Sequence, residues 1–225
     1  MRRRLDPGVT LLSLILVLSL GCTTRTGNRQ NSEPPQSGTP SNPLPNRESE
    51  NYAVLSALIK DMYVDDGVKL LVIQNARCPT TTEATEPIDA KVEEMRRQME
   101  EYAFKELPEL KHETIDDFHA QTKVCHPLTN ELDIPIKYVL VVDKDLEPLF
   151  PKGELDRAWR RFYEKYPSSS GIVSFSRPGF NNEMNQAVVS TARSCGGLCG
   201  AGYFILLTKD QGRWKVRSKT NTWVS

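Results

Sequence analysis

Between Ser170 and Ser225 apolar and polar residues alternate in runs broken by short Gly-containing turns, and that pattern leaves few folds open. Gly171–Ser176 and Gln186–Ser194 read as two strands, and the chain must reverse within Cys195-Gly196-Gly197-Leu198-Cys199. Ala201–Lys209 is apolar on both faces, with Tyr203, Ile205 and Leu207 against Phe204 and Leu206, which fits a central strand covered on both sides. After Asp210-Gln211-Gly212, Trp214 and Val216 alternate with Arg213, Lys215 and Arg217, a strand with one face in solvent. Thr222-Trp223-Val224 continues it or forms a short edge. The result is an antiparallel meander, and the upstream chain either covers it or lies outside the domain.

Helical spacing identifies the cover. Tyr52, Leu55, Leu58, Ile59, Met62 and Tyr63 lie on one face of a helix that Asp65-Asp66-Gly67 ends. Val68–Gln74 is a short apolar run, hence a buried strand. Pro87 suits a first helical position, and Ile88, Val92, Met95, Met99 and Tyr102 mark a long helix stopping before Pro108. A shorter helix follows Thr114 with Ile115 and Phe118 inward. Ile136–Val142 is a second strand, and Leu155, Trp159, Phe162, Tyr163 and Tyr166 mark a helix closed by Pro167. This order predicts an α+β fold: a single domain over residues 51–225, with helices packed on a mainly antiparallel sheet that ends in the C-terminal meander.

The N-terminal 50 residues have a different character. Arg2-Arg3-Arg4 precedes an apolar run from Val9 to Leu20, too short to span a bilayer comfortably and suited to a signal peptide, residues 1–21. Leu18-Ser19-Leu20-Gly21-Cys22 then resembles the bacterial lipoprotein signal, a small residue and a Cys directly after the apolar run, although Ser19 occupies the place where that pattern prefers Leu. The resemblance implies cleavage before Cys22, lipidation of its thiol and acylation of the new N-terminus, so that the partner is a membrane held by two or three chains. It also implies a cell-envelope location, and Thr23, in place of Asp, favours the outer membrane facing the periplasm in a Gram-negative cell. Residues 22–50 hold five prolines and one large apolar residue beyond Cys22, Leu44, and read as a disordered tether. A flexible chain of that length spans roughly 30 Å, keeping the folded body near the membrane and clear of the headgroups.

SRPGFN, the following QAVV, CGGLCGAGY, FILLTK, GRWKV and the closing W-V-S together resemble a family of exported bacterial proteins with the pattern SRxGFN…CGxLCGxGY…W…WxS. YAVLSALIK and VIQ near the start of the domain fit the same pattern, so the likeness spans most of residues 52–225. It implies one domain throughout and no particular activity.

Charge and motifs narrow the function. The chain balances 29 basic against 29 acidic residues, with no basic excess of the kind nucleic acid requires. Cys78, Cys125, Cys195 and Cys199 form an even set for an exported chain, which points to disulfides. Four cysteines allow three connectivities; opposed hairpin positions put Cys195 and Cys199 within bridging range, which would leave Cys78 with Cys125. A redox role for C-x3-C is weaker, because a strand and not a helix follows it. His112, His119 and His126 recur every seven residues, a rise of about 10.5 Å on a helix, too far for two of them to share a metal. No metal or other cofactor is expected. His119 with Asp116 one turn earlier is a candidate catalytic pair, the basis of an alternative reading as an envelope hydrolase, without a G-x-S-x-G elbow to support it. Arg177-Pro178-Gly179-Phe180 fits a type II turn with Gly at positive φ. Arg177, Asn181 and Asn182 are candidate binding residues at the end of the sheet shared with the Asp210–Gly212 turn, opposite the cysteines. The function expected is a membrane-anchored lipoprotein whose domain binds or scaffolds an envelope protein or glycan.

Overall fold

In a computed structural model, residues 46–64, 66–75, 90–123, 127–151 and 153–225 are described, and residues 42–225 belong to one compact unit. The chain enters at Asn46, whose side chain accepts from the Glu48 amide and caps α1, Arg47–Ile59. The helix thus starts four residues before Asn51, because Asn46 supplies the cap. α1 passes into a π-helical turn, Lys60–Val64, which keeps Tyr63 turned inward beneath Leu55, Leu58 and Ile59. It ends as the sequence suggests. The Val68 amide donates to Tyr63 O and the Gly67 amide to Val64 O, the crossed bonds of a Schellman motif, with Gly67 at φ 74°.

β1 (Leu70–Gln74), α2 (Ala90–Glu106), α3 (His112–Thr122) and β2 (Lys137–Val141) follow, then a single turn α4 (Asp143–Leu146) and α5 (Leu155–Lys165). β3 (Ser169–Phe175), β4 (Gly179–Phe180), β5 (Gln186–Gly196), β6 (Cys199–Asp210) and β7 (Arg213–Val224) complete the chain. The strands make one sheet in the order β2-β1-β3-β5-β6-β7, with β4 beside β5. β1 runs parallel to both β2 and β3, and the remaining pairings are antiparallel. The architecture is α+β, a mixed, mostly antiparallel sheet ending in the meander. Its parallel part arises because α2 and α3 lie between β1 and β2, and α5 between β2 and β3, so each return to the sheet is a crossover.

Both faces of the sheet are covered. On one, Leu71, Ile73, Val173, Ala187, Val189, Ile205 and Leu207 pack with α1 and with Leu132 of the 127–136 segment. On the other, Val188, Phe204 and Leu206 meet α2 and α3 through Ala103, Leu107, Ile115 and Phe118. Beside them Val72 and Val141 meet α5 through Trp159 and Phe162. The two-faced apolar run of β6 is therefore a sandwiched central strand. Two inward assignments change. Met95 is 56% exposed and Leu155 54% exposed, since α2 presents Met99 and Ala103 to the sheet and Leu155, the first residue of α5, lies beside Gly197 of the β5–β6 turn.

The SRPGFN stretch is not a type II turn. Gly179 has no positive φ; it is β4, paired to Val188. β3 and β4 lie along one side of β5, and the intervening Arg177-Pro178 bulge suits a Pro that has no ladder donor. Glycine is required at 179 for space: a Cβ there would lie 2.5 Å from Phe118 Cα, against α3 backbone that cannot move aside. Gly202 is filled in the same sense by Trp223, whose Cδ1 lies 2.6 Å from where a Cβ would stand. The β6–β7 turn has Gln211 at φ 47° and Gly212 at φ 77°, the two left-handed residues of a type I′ hairpin. Cys195 and Cys199 are joined by a disulfide across the β5–β6 hairpin, Cα atoms 5.1 Å apart. Cys22, Cys78 and Cys125 lie outside the described residues.

Gly179→Ala should therefore lower unfolding stability by about 3 kcal/mol as α3 is displaced, measured by denaturant titration. A loss below about 0.5 kcal/mol, the range of neutral surface changes, would mean that α3 is not seated on this glycine.

Candidate functional site

Among the described residues a groove of about 1240 Å³ lies beside α1. Its α1 wall is made of small side chains, Ser49, Ala53, Ser56 and Ala57, with Tyr52; its other walls are residues 131–135 and the start of β7 from Gly212 to Val216. Local bonding explains why the groove keeps its shape. Tyr52 Oη accepts from the Thr129 amide at 2.9 Å, and Ser56 Oγ accepts from the Asp133 amide at 2.9 Å. Lys60 adds an ion pair to Asp133. These bonds tie the 127–136 segment to α1.

The opposite wall is held by Glu50. This carboxylate, 12% exposed, accepts from Lys209 Nζ and from Trp214 Nε1, each at 2.6 Å. Lys209 Nζ also lies 5.6 Å from the centre of the Trp214 ring. The chain entry is pinned further: Arg47 pairs with Asp117 of α3, and Glu48 with Arg177. Asp117 Oδ2 accepts in addition from the Phe180 amide. The groove thus starts at Asn46, where the chain enters, and its walls come from α1, the 131–135 segment and the edge strand β7. Its rim mixes Glu48, Asp61 and Glu131 with Arg213 and Lys215, and among the described residues no histidine or cysteine lines it. Such a surface can receive an extended or helical segment; among the described residues no nucleophile hydrogen-bonded to a base lines it.

The expected binding residues sit at the expected end. Lys209 N donates to Asn185 O, which puts the 181–185 loop beside the β6–β7 turn, with the disulfide turn at the far end of β5 and β6. Each, however, makes bonds within the domain, although Arg177 Nε is buried without a partner among the described residues. Arg177 holds Glu48. Asn181, 2% exposed, accepts from the amides of Asn185 and Gln186 and donates to Asn185 Oδ1, closing its own loop. Asn182 donates to Glu113 of α3 at 3.1 Å.

His119 lies between α3 and α2, 18% exposed, with Nε2 3.4 Å from Glu100 Oε2. Its nearest carboxylate partner is thus Glu100 of α2, while Asp116 is exposed on the next turn. Burial, reinforced by Arg96, pushes the imidazole below its usual range against the opposing pull of Glu100 and Asp116. His112 stacks on Phe104, and His126 lies outside the described residues. Among the described residues no group of three or more His, Cys, Asp or Glu side chains is placed to hold a metal, and no helix is long and apolar enough to cross a membrane.

The sequence reading missed Glu50, Lys209 and Trp214. A signal was available: Glu50, Val54 and Leu58 fall on one inward stripe of α1, and a carboxylate on such a stripe requires buried donors. Comparison of the chain with protein-family models, with curated proteins and with solved structures returns no match.

The lowered His119 pKa makes stability pH-dependent. In the window just below pH 6.5 the unfolded chain binds the proton more readily than the folded one, so stability is lost as pH falls from 6.5 toward the folded-state pKa. Denaturant midpoints measured between about pH 7 and about pH 5 should fall less for His119→Gln than for the wild type. Equal falls would remove His119 as the cause.

Proposed function

We propose that this chain is a membrane-anchored envelope lipoprotein whose domain binds or scaffolds a partner in the groove beside α1. The observation that carries the anchoring is the apolar run ending at Gly21-Cys22 behind a basic N-terminus. Cys22 carries the lipid, residues 22–45 are the link, and the domain starts at the Asn46 cap. What supports binding is the groove itself: an open, mixed-charge trough with small residues on one wall, a strand edge on the other and internal bonds that preserve it without a ligand.

The groove replaces Arg177, Asn181 and Asn182 as the contact surface. Each is bonded inside the domain through at least one group, and a partner using that group would have to break the bond first. The partner is an envelope protein that presents an extended or helical segment. β7 is the edge of the sheet, and an added strand would satisfy its outward backbone groups while side chains enter the trough.

Two measurements test the reading. Membrane fractionation should find the wild type acylated and extractable by detergent, and Cys22→Ser released; a mutant that stays equally membrane-bound removes the anchor. A photo-crosslinking residue placed at Ala53, in the groove, should trap an envelope protein in cells, whereas one at Arg97 on exposed α2 should not. Equal trapping at both positions removes the groove as the contact surface.

A further inference from the structure

A second cavity, of about 680 Å³, opens between α5 and the β5–β6 turn and shares no residue with the groove beside α1. α5 supplies Asp156, Trp159, Arg160, Tyr163 and Glu164, and the turn supplies Gly196 and Gly197. The volume falls within the roughly 300–1,000 Å³ typical of small-molecule sites. Trp159 and Tyr163 lie one helical turn apart, with ring centres 5.9 Å apart and planes tilted by 32°, so they form one aromatic surface. Both rings are held in place. Trp159 packs edge-on against Phe150 and Phe162, and the Tyr163 hydroxyl donates to Cys195 O at 2.9 Å. The glycines bring backbone alone to the cavity, and the disulfide between Cys195 and Cys199 closes their turn.

The charged side chains on α5 divide into two groups. Glu154 pairs with Arg157 and Arg161. Asp156, Arg160 and Glu164, which line the cavity, make no hydrogen bond or ion pair among the described residues. They follow one another at four-residue steps, where helix side chains are neighbours, so acid, base and acid stand in a row. Asp156 also faces the turn, its Oδ1 4.0 Å from a Cβ built on Gly197. The cavity therefore joins a fixed aromatic surface to two free acceptor groups and one free donor group.

We propose that this cavity binds a neutral saccharide, with one sugar face on Trp159 and Tyr163 and its hydroxyls bonded to Asp156, Arg160 and Glu164. Chemistry selects the ligand class. The negative face of an aromatic ring attracts the positive C–H groups on the flat side of a pyranose. A sugar hydroxyl both donates and accepts, so one ring can donate to the carboxylates and accept from the guanidinium. A purely apolar ligand would strip water from three charges and return no bonds. A ligand of a single charge sign would meet a like charge within one helical turn of its partner. The site stands apart from the groove and from the lipid anchor, and it rests on neither.

The test titrates the full chain with two neutral trisaccharides, chitotriose and maltotriose, and follows backbone amide resonances. At least one should shift the Gly196 and Gly197 amides saturably at millimolar concentration while Ala53, in the groove, stays in place. Glu164→Gln, at an exposed position with no bond to lose inside the domain, should raise Kd about tenfold, the order of one charge-assisted hydrogen bond. Gly197→Val should abolish binding by filling the mouth. The nearest atom to a Cβ there is Leu155 Cδ2 at 3.5 Å, an ordinary contact, so the fold should tolerate the change. The cationic trimer of glucosamine should bind more weakly than the better neutral sugar. No saturable shift with either trisaccharide overturns the proposal, as do shifts at Ala53 in place of Gly196 and Gly197. So does a Kd that Glu164→Gln leaves unchanged, or tighter binding of the cationic trimer.

Discussion

The Glu50 carboxylate is the point on which the arrangement of α1 depends. Taking a carboxylate out of water costs several kcal/mol unless donors replace the lost hydration. Here Lys209 and Trp214 replace it, one from the end of β6 and the other from the start of β7. Both donors flank the type I′ turn, whose tight geometry keeps them adjacent. The bond set therefore selects one placement of α1 on the sheet: sliding the helix by a turn would strand a charge. Removing one partner of such a buried pair typically costs about 3–5 kcal/mol. That is a large share of the stability of a domain this size. The groove beside α1 is a consequence, since its walls are the elements that Glu50 holds together.

On the other face the controlling quantity is distance. α3 lies on β4 because Gly179 has no Cβ to hold Phe118 away, and Asp117, one residue earlier, accepts from the Phe180 amide. Asp117 also holds Arg47 at the start of α1, so one side chain links helices on opposite faces of the sheet. At the other end Trp223 takes the space that Gly202 leaves open. The motif residues of SRPGFN and CGGLCGAGY thus serve as close-packing points and a brace for the hairpin. Their type is explained by geometry without a catalytic duty.

The two ends of the sheet consequently differ in kind. Where the chain enters, Arg47, Glu48, Glu50, Asp117, Arg177 and Lys209 are joined by ion pairs, and the open surface is the trough between α1 and β7. At the disulfide end Tyr163 donates to Cys195 O, Glu154 pairs with Arg157 and Arg161, and Leu198 stands exposed on the turn.

Much of the fold was legible in the residues. Alternation in 170–225 specified the meander, the two-faced run 201–209 marked the central strand, and helical spacing located α1, α3 and α5, because local periodicity records which face meets the core. Gly67 and Gln211-Gly212 marked their turns through local backbone geometry. What periodicity could not record was partnership between distant segments. The parallel pairing of β1 with β2 and β3, the rotation of α2 that exposes Met95, and the meeting of His119 with Glu100 instead of Asp116 all depend on which elements pack together. The same holds for Gly179. Its sequence context reads as a turn, and only the approach of α3 shows that the missing Cβ serves for space. By itself the sequence determined the strands, the turns and the two-sided burial of β6, since each is a property of neighbours along the chain. Tertiary structure alone decided the groove and which donors meet Glu50, since each brings together residues that are far apart in sequence.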